Sequence, residues 1–241
     1  MTNNTGVKFK SIPSQYPVVG EHIEAVHNKI DIDSYVLKQD EILVKNIYIS
    51  LDPYMRGRMR SPEIESYVDA FPLGEIMQTS GIGEVVKSNN SKYKINDLYS
   101  GFTGWEEYSV ISANDANQNA GFIEILNSSR VSGSPPISYF LGVLGMPGMT
   151  AYTGLFKIGQ PKKGETIFVS TAAGAVGQVV CQISKILGLR VIGSAGDDSK
   201  IDFLLNELKI DGAFNYKKSD TKKKLEELCP NGIDIYFDNV G

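Results

Sequence analysis

The residues best suited to chemistry lie in one short run, Ser170-Thr171-Ala172-Ala173-Gly174-Ala175-Val176-Gly177. Small residues between a strand and a helix let backbone N–H groups approach a pyrophosphate closely, and the helix N-terminus adds a favourable dipole. The usual spacing for such a loop is G-x-G-x-x-G. Here Ala172 stands at the first glycine, with Gly174 and Gly177 at the other two. A tight strand–helix turn that binds nothing has a similar composition, so the flanking elements must decide. Thr166–Thr171 is a β-rich apolar run. Gly174–Gly188 has the helical period, with Val176, Val179, Val180, Ile183, Ile186 and Leu187 on one face. The loop thus comes after a strand and opens a helix, which is the context a nucleotide-binding turn requires. Gly174, Ala175, Val176 and Gly177 are its expected cradle.

The choice of nucleotide depends on the residues at and just beyond the end of the next strand. An NAD site usually places Asp or Glu at the end of that strand to hold the ribose hydroxyls. The run Arg190–Ala195 ends in Ser194 and Ala195, both small and neutral. Asp197 lies at about the expected 20 residues past the loop, but it is also placed to cap the adjoining helix. Lys200, one turn into that helix, and Tyr216, after the third strand, are candidates to reach a 2′-phosphate. The plain alternative for Lys200 is a solvated surface lysine.

Composition narrows the classes further. The chain has 241 residues, 41% hydrophobic and 22% charged, with a formal net charge of −4. That charge argues against a general nucleic-acid binder. The densest basic run, Lys217-Lys218 with Lys222–Lys224, is interrupted by Asp220 and followed by Glu226 and Glu227, as on a solvated helix face. No stretch is long and apolar enough to span a bilayer, and the polar first residues do not form a signal peptide. Cys181 and Cys229 cannot make a disulfide framework, so a reducing, cytoplasmic setting is expected. With His22 and His27 they offer no metal-ligand spacing, and no metal is expected.

Two regions must position these residues. Up to about Arg130, short β-rich runs alternate with turns: Glu41–Leu51, Ser80–Ser88 and Glu106–Ser112, with a Pro-bearing turn after the first. These suggest a small barrel or sandwich. Beyond the Ser/Gly/Pro-rich linker Ser128–Pro136, strands alternate with helices, which specifies βαβ units and a parallel sheet. Its helix after the second strand has Asp198 or Ser199 as expected N-cap. Four strands are counted there, where a dinucleotide-binding sheet normally carries about six.

The segments Leu144–Gln178, Phe214–Lys217 and Tyr236–Gly241, with Asn46–Met59 in the first region, resemble the zinc-free branch of the medium-chain dehydrogenases/reductases. They are most similar to the NADP-dependent alkenal/alkenone (double-bond) reductases, which include prostaglandin reductases. The resemblance implies an α/β protein with a GroES-like β-barrel domain over residues 1–130 and an incomplete Rossmann domain over 131–241, with NADP(H) between them. It implies Gly174–Gly177 at the pyrophosphate, Lys200 and Tyr216 at the 2′-phosphate, and Asn239, Met146 and Thr150 nearer the nicotinamide. Thr150 is also the expected cap of a helix entered by a Pro/Gly bend. Tyr54 is the implied pocket hydroxyl near the substrate carbonyl, or else a turn tyrosine packed on the barrel. Arg56 is expected to tether that turn by salt bridges.

The implied chemistry is reduction of the carbon–carbon double bond of an enal or enone. In zinc-dependent relatives a Gly-His-Glu motif is usual; Ser80–Val86 here has no histidine. An NADPH quinone oxidoreductase and an inactive remnant are the alternatives. The resemblance also implies a homodimer, and a chain that continues in a longer protein, so that alone it would bind cofactor weakly.

Overall fold

The computed structural model describes residues 1–240. It comprises two compact units, Met1–Leu141 and a second that starts at Gly142.

In the first unit, β1 (Thr2–Phe9) and β2 (Ile23–Ile30) form an antiparallel ribbon. Four further strands, β3 (Ile42–Ile49), β4 (Gln78–Ser88), β5 (Leu98–Gly104) and β6 (Tyr108–Ile111), form an antiparallel sheet in the order β5-β4-β3-β6. The register of β3 on β4 shifts at Leu43/Val44 and at Asn46/Tyr48; such irregularities bend a strand and add twist. Ile42, Val44, Val85, Tyr99 and Ile111 are buried on one side of this sheet. Between β3 and β4 the expected turn contains a short helix, α1 (Tyr54–Arg58). α2 (Ala113–Asn119) is capped by the Ser112 side chain, and α3 (Ile123–Ser128) comes next. Ile137, Phe140 and Leu141 pack against Ile82, Leu98 and Leu126. The residues after the Ser/Gly/Pro-rich stretch therefore stay with the first unit, and the division falls between Leu141 and Gly142.

A half-buried carboxyl sits where β1 meets β6. Glu106 accepts hydrogen bonds from Asn4 Nδ2 and the Ser109 hydroxyl, both at 3.0 Å. Desolvation pushes its carboxyl above the usual range.

The second unit opens with α4 (Met146–Thr153), whose last turn widens over Gly154–Gly159. Its N-cap is Gly145, so Thr150 lies inside the helix and is not its cap. The helix starts earlier than expected because Pro147, at its first turn, needs no backbone partner there. Then come β7 (Thr166–Val169), α5 (Ala175–Ile186), β8 (Arg190–Ala195), α6 (Asp198–Asp202), a wide turn over Phe203–Glu207, β9 (Gly212–Asn215), α7 (Thr221–Leu228) and β10 (Ile235–Phe237). The strands are parallel, in the order β10-β7-β8-β9. One face buries Ile167, Val169 and Val191 with Val180 and Cys181 of α5 and with Leu155 and Leu204. The other buries Phe168, Ile192 and Phe214 with Leu225 and Leu228 of α7.

Along α5 the buried line is Gly177, Val180, Cys181 and Ser184. Ile186, expected on that face, is 84% exposed; it falls in the last turn, off the line that meets the sheet. The N-cap of α6 is Asp197, whose side chain accepts from Ser199 N–H, rather than Asp198 or Ser199. From β7 the chain moves to β8 and β9 on one side and returns to β10 on the other. The C-terminal end of β7 is thus the topological switch point, where ligands of open parallel sheets bind.

Candidate functional site

All four residues of β7 are buried, and the chain leaves the sheet at Ser170. Thr171 then takes a left-handed conformation, φ 46°. A β-branched residue in that region is strained, and such residues concentrate at functional turns. Ala172 is fully buried, and its N–H donates to the Ser194 carbonyl at 2.9 Å, which ties the loop to β8. Its methyl lies so close to Gly193 that a Cβ there would stand 2.7 Å away. A Cβ on Gly177 would collide with the Thr171 carbonyl and the Ala172 backbone. The close crossing of loop over helix therefore requires glycine at 177 and accommodates alanine at 172. Gly174 is the N-cap of α5 and supplies no side-chain cap, so the N–H groups of the first turn, Ala175, Val176 and Gly177, are suited to an anion.

Thr171, Ala173 and Gly174 floor a cleft of about 340 Å³. One wall is Ala195, Gly196 and Asp197 with Lys200; the other is Tyr216 and Lys217. A Cβ on Gly196 would stand 2.9 Å from the Tyr216 hydroxyl and 3.0 Å from Lys217 Cε. The absent side chain lets both lean inward. Among the described residues neither Lys200 nor Lys217 forms an ion pair. Asp197 Oδ1 accepts from Ser199 N–H at 2.9 Å and from the Ser199 hydroxyl at 2.6 Å. These bonds hold its carboxyl below the ordinary range. Of its two possible duties, ribose contact or helix capping, Asp197 visibly performs the capping.

The structure thus brings Gly174, Lys200 and Tyr216 into one cleft, beside the first turn of α5. The sequence assigned no role to Thr171 or Gly196, and it placed Lys217 on a solvated helix face; Lys217 instead lies in the turn before α7, which begins at Thr221, and lines the cleft. Asn239 does not line the cleft: its Nδ2 donates to the Ser170 carbonyl at 2.8 Å and its N–H to the Ser170 hydroxyl at 2.7 Å. That hydroxyl donates to Asp238 Oδ1 at 2.6 Å. Asn239 therefore fastens the turn after β10 to the end of β7. Met146 and Thr150 are exposed on α4 and do not line the cleft either.

In the first unit Tyr54 is half-buried against Met55, Met59 and Phe71. Its hydroxyl has no hydrogen-bond partner among the described residues. Arg56 makes hydrogen bonds rather than salt bridges, from Nε to the Gln15 carbonyl (2.7 Å) and from Nη2 to the Pro13 carbonyl (3.0 Å). Loop carbonyls, not acids, surround it. Arg58 donates to the Asp69 and Gln78 carbonyls and lies 4.0 Å over the Phe71 ring. The turn bearing Tyr54 is held firmly. Beside it, Asp52 keeps one carboxyl oxygen buried without a partner.

Comparison with known proteins agrees with this architecture. Residues 24–118 match the family described as the N-terminal domain of oxidoreductase, and residues 175–241 match the zinc-binding dehydrogenase family. A zinc-type alcohol dehydrogenase-like protein of Schizosaccharomyces pombe is 43% identical over 100% of this chain and 68% of its own length. The chain belongs to the medium-chain dehydrogenase/reductase family. A 2-alkenal reductase (NADP(+)-dependent) of Nicotiana tabacum is 43% identical over 99% of the chain and 66% of its own length. The solved structure of CurA from Vibrio vulnificus in complex with NADPH superimposes with a TM-score of 0.81 at 36% identity, covering 98% of this chain and 65% of that one. The chain spans about two-thirds of the length of these medium-chain relatives.

The family description includes zinc, and the donor set here does not fit it. Among the described residues no group of three or more His, Cys, Asp or Glu could hold a metal. Cys181 and Cys229 are both buried in hydrophobic clusters, and burial pushes the Cys181 thiol up to about 12, far from the thiolate zinc requires.

Proposed function

We propose that this chain carries the NADP(H) site and part of the substrate site of a reductase that saturates the double bond of α,β-unsaturated aldehydes and ketones. The observation that carries the reading is the cleft after β7. It combines an uncapped helix N-terminus with two lysines and a tyrosine, and its one aspartate is occupied as a helix cap. The relative named 2-alkenal reductase (NADP(+)-dependent) supports the same cofactor and substrate class, and the NADPH-bound structure of CurA supports the same cofactor.

Bound NADPH would supply the hydride that adds to the β-carbon, and a proton taken up at the α-carbon would complete the saturation. The N–H groups of Ala175, Val176 and Gly177 hold the pyrophosphate, while Lys200 and Tyr216 hold the 2′-phosphate. Asn239 positions the β10 turn, and Met146 and Thr150 of α4 belong to the nicotinamide side. Tyr54 donates its hydroxyl to the substrate carbonyl oxygen, where negative charge develops. Two buried, unpaired cysteines suit a reducing compartment, which favours the cytoplasm.

The test is a fluorescence titration of the full 241-residue chain with NADPH and with NADH. Tighter binding of NADPH by about tenfold or more is expected, from charge-assisted bonds worth about 1.5–3 kcal/mol. Lys200→Ala should erase most of that margin. Equal affinity for the two nucleotides would sink the cofactor assignment.

A further inference from the structure

Two aspartates come after β8, and a free carboxylate beside the cleft would repel a 2′-phosphate. Asp197 is consumed by the α6 cap. Asp198 is held from the opposite wall: its Oδ1 accepts from Asn215 Nδ2 at 2.6 Å, and its Oδ2 pairs with the Lys218 ammonium. Asn215 is 8% exposed at the end of β9. Its Oδ1 also accepts the Lys217 N–H at 3.0 Å. One buried amide thus joins the α6 N-terminus to the turn that presents Tyr216 and Lys217 to the cleft.

We infer that Asn215 and Lys218 are positioning residues that set nucleotide preference: they bind both oxygens of Asp198, withhold its charge from the cleft, and fix the turn carrying Tyr216 and Lys217. The inference rests on the proposed NADP(H) site. Lys218 contacts no ligand in this scheme; its ammonium acts through Asp198. With it, two carboxylates face three ammonium groups around the cleft, Lys200, Lys217 and Lys218. Without it the local charge balances, and the attraction for a phosphate falls. The arrangement also explains why adjacent lysines differ in use. Lys217 lines the cleft and lacks an ion pair among the described residues, whereas Lys218 is spent on Asp198.

The experiment measures NADPH and NADH affinities of the full chain by fluorescence titration at low ionic strength. Lys218→Met should weaken NADPH binding about two- to fivefold and leave NADH binding unchanged, the range expected for one exposed charge. Lys218→Arg should retain the wild-type ratio. The double variant Asp198→Asn/Lys218→Met should restore it, because the uncompensated acid is gone; a merely structural role for Lys218 predicts no such rescue. The NADH titration reports on folding, since damage to the unit would weaken both nucleotides. An unchanged ratio in Lys218→Met, with wild type still preferring NADPH, overturns this inference alone, as does a double variant that fails to recover. A wild-type chain without any preference overturns the cofactor reading and this inference with it.

Discussion

At the scale of single residues, Ala172 and Gly177 show what the phosphate-loop pattern demands here. The backbone of Ala172 avoids left-handed φ and its methyl fills the space beside Gly193, so alanine replaces the first glycine without strain. Gly177 has the Thr171 carbonyl and Ala172 backbone where its Cβ would go. Gly177→Ala should therefore destabilise the second unit by about 1–3 kcal/mol, the usual result of overpacking, and abolish measurable NADPH binding. Urea denaturation and the nucleotide titration check both halves. Glu106 offers a residue-scale prediction in pH. Burial raises its folded pKa above the ordinary value of 4.5, so between 4.5 and the raised value the folded protein binds more protons than the unfolded one. Its contribution to stability is fully present below 4.5 and is lost as pH rises through the folded pKa. Glu106→Gln should remove that loss. Relative to wild type, its urea midpoint should rise as pH is raised from 4 to 8, whereas a constant offset would show that Glu106 does not titrate in that window.

At the scale of elements, α6 hangs on its cap. Asp197→Ala removes the acceptor for Ser199 N–H and should lower the thermal midpoint. NADPH affinity should not fall, because the lost carboxylate never served the ribose; a matching loss of nucleotide affinity would return Asp197 to a binding role. The elements also differ in how far the sequence betrays them. The parallel half is legible from Ile167, Val169, Val191 and the helical repeat of α5, since strands buried on both faces leave continuous apolar runs. β1 and β2 are not, because Thr2–Phe9 and Ile23–Ile30 form a two-stranded ribbon with much of both strands solvated, which leaves no clean alternation. β5 is hidden by its glycines, Gly101 and Gly104, packed under Tyr99 and Glu106. At the site, loop chemistry and Lys200 are visible by spacing. Lys217 is not, because only the Asn215 bond to its N–H and the bare Gly196 opposite decide that it faces the cleft.

At the scale of the whole molecule, the proposed function would have nucleotide and carbonyl served by different compact units. Every residue lining the cleft belongs to the unit that starts at Gly142, whereas Tyr54 sits in the unit that ends at Leu141. Each unit has its own buried core, so a change in one hydroxyl of the first should leave the second intact. Tyr54→Phe keeps the ring that packs on Met55, Met59 and Phe71 and deletes only the donor. If that hydroxyl bonds the carbonyl oxygen as charge grows on it, its loss should lower enone turnover by about 10- to 100-fold, the equivalent of one hydrogen bond to a charged group. NADPH affinity should stay at the wild-type value. Lys200→Ala should show the reverse, a raised KM for NADPH with kcat nearly kept. Steady-state kinetics with a short alkenal, beside direct titration of NADPH, separates the two. Loss of NADPH affinity in Tyr54→Phe would mean that the tyrosine supports the nucleotide site instead, and the division of labour between the units would fail.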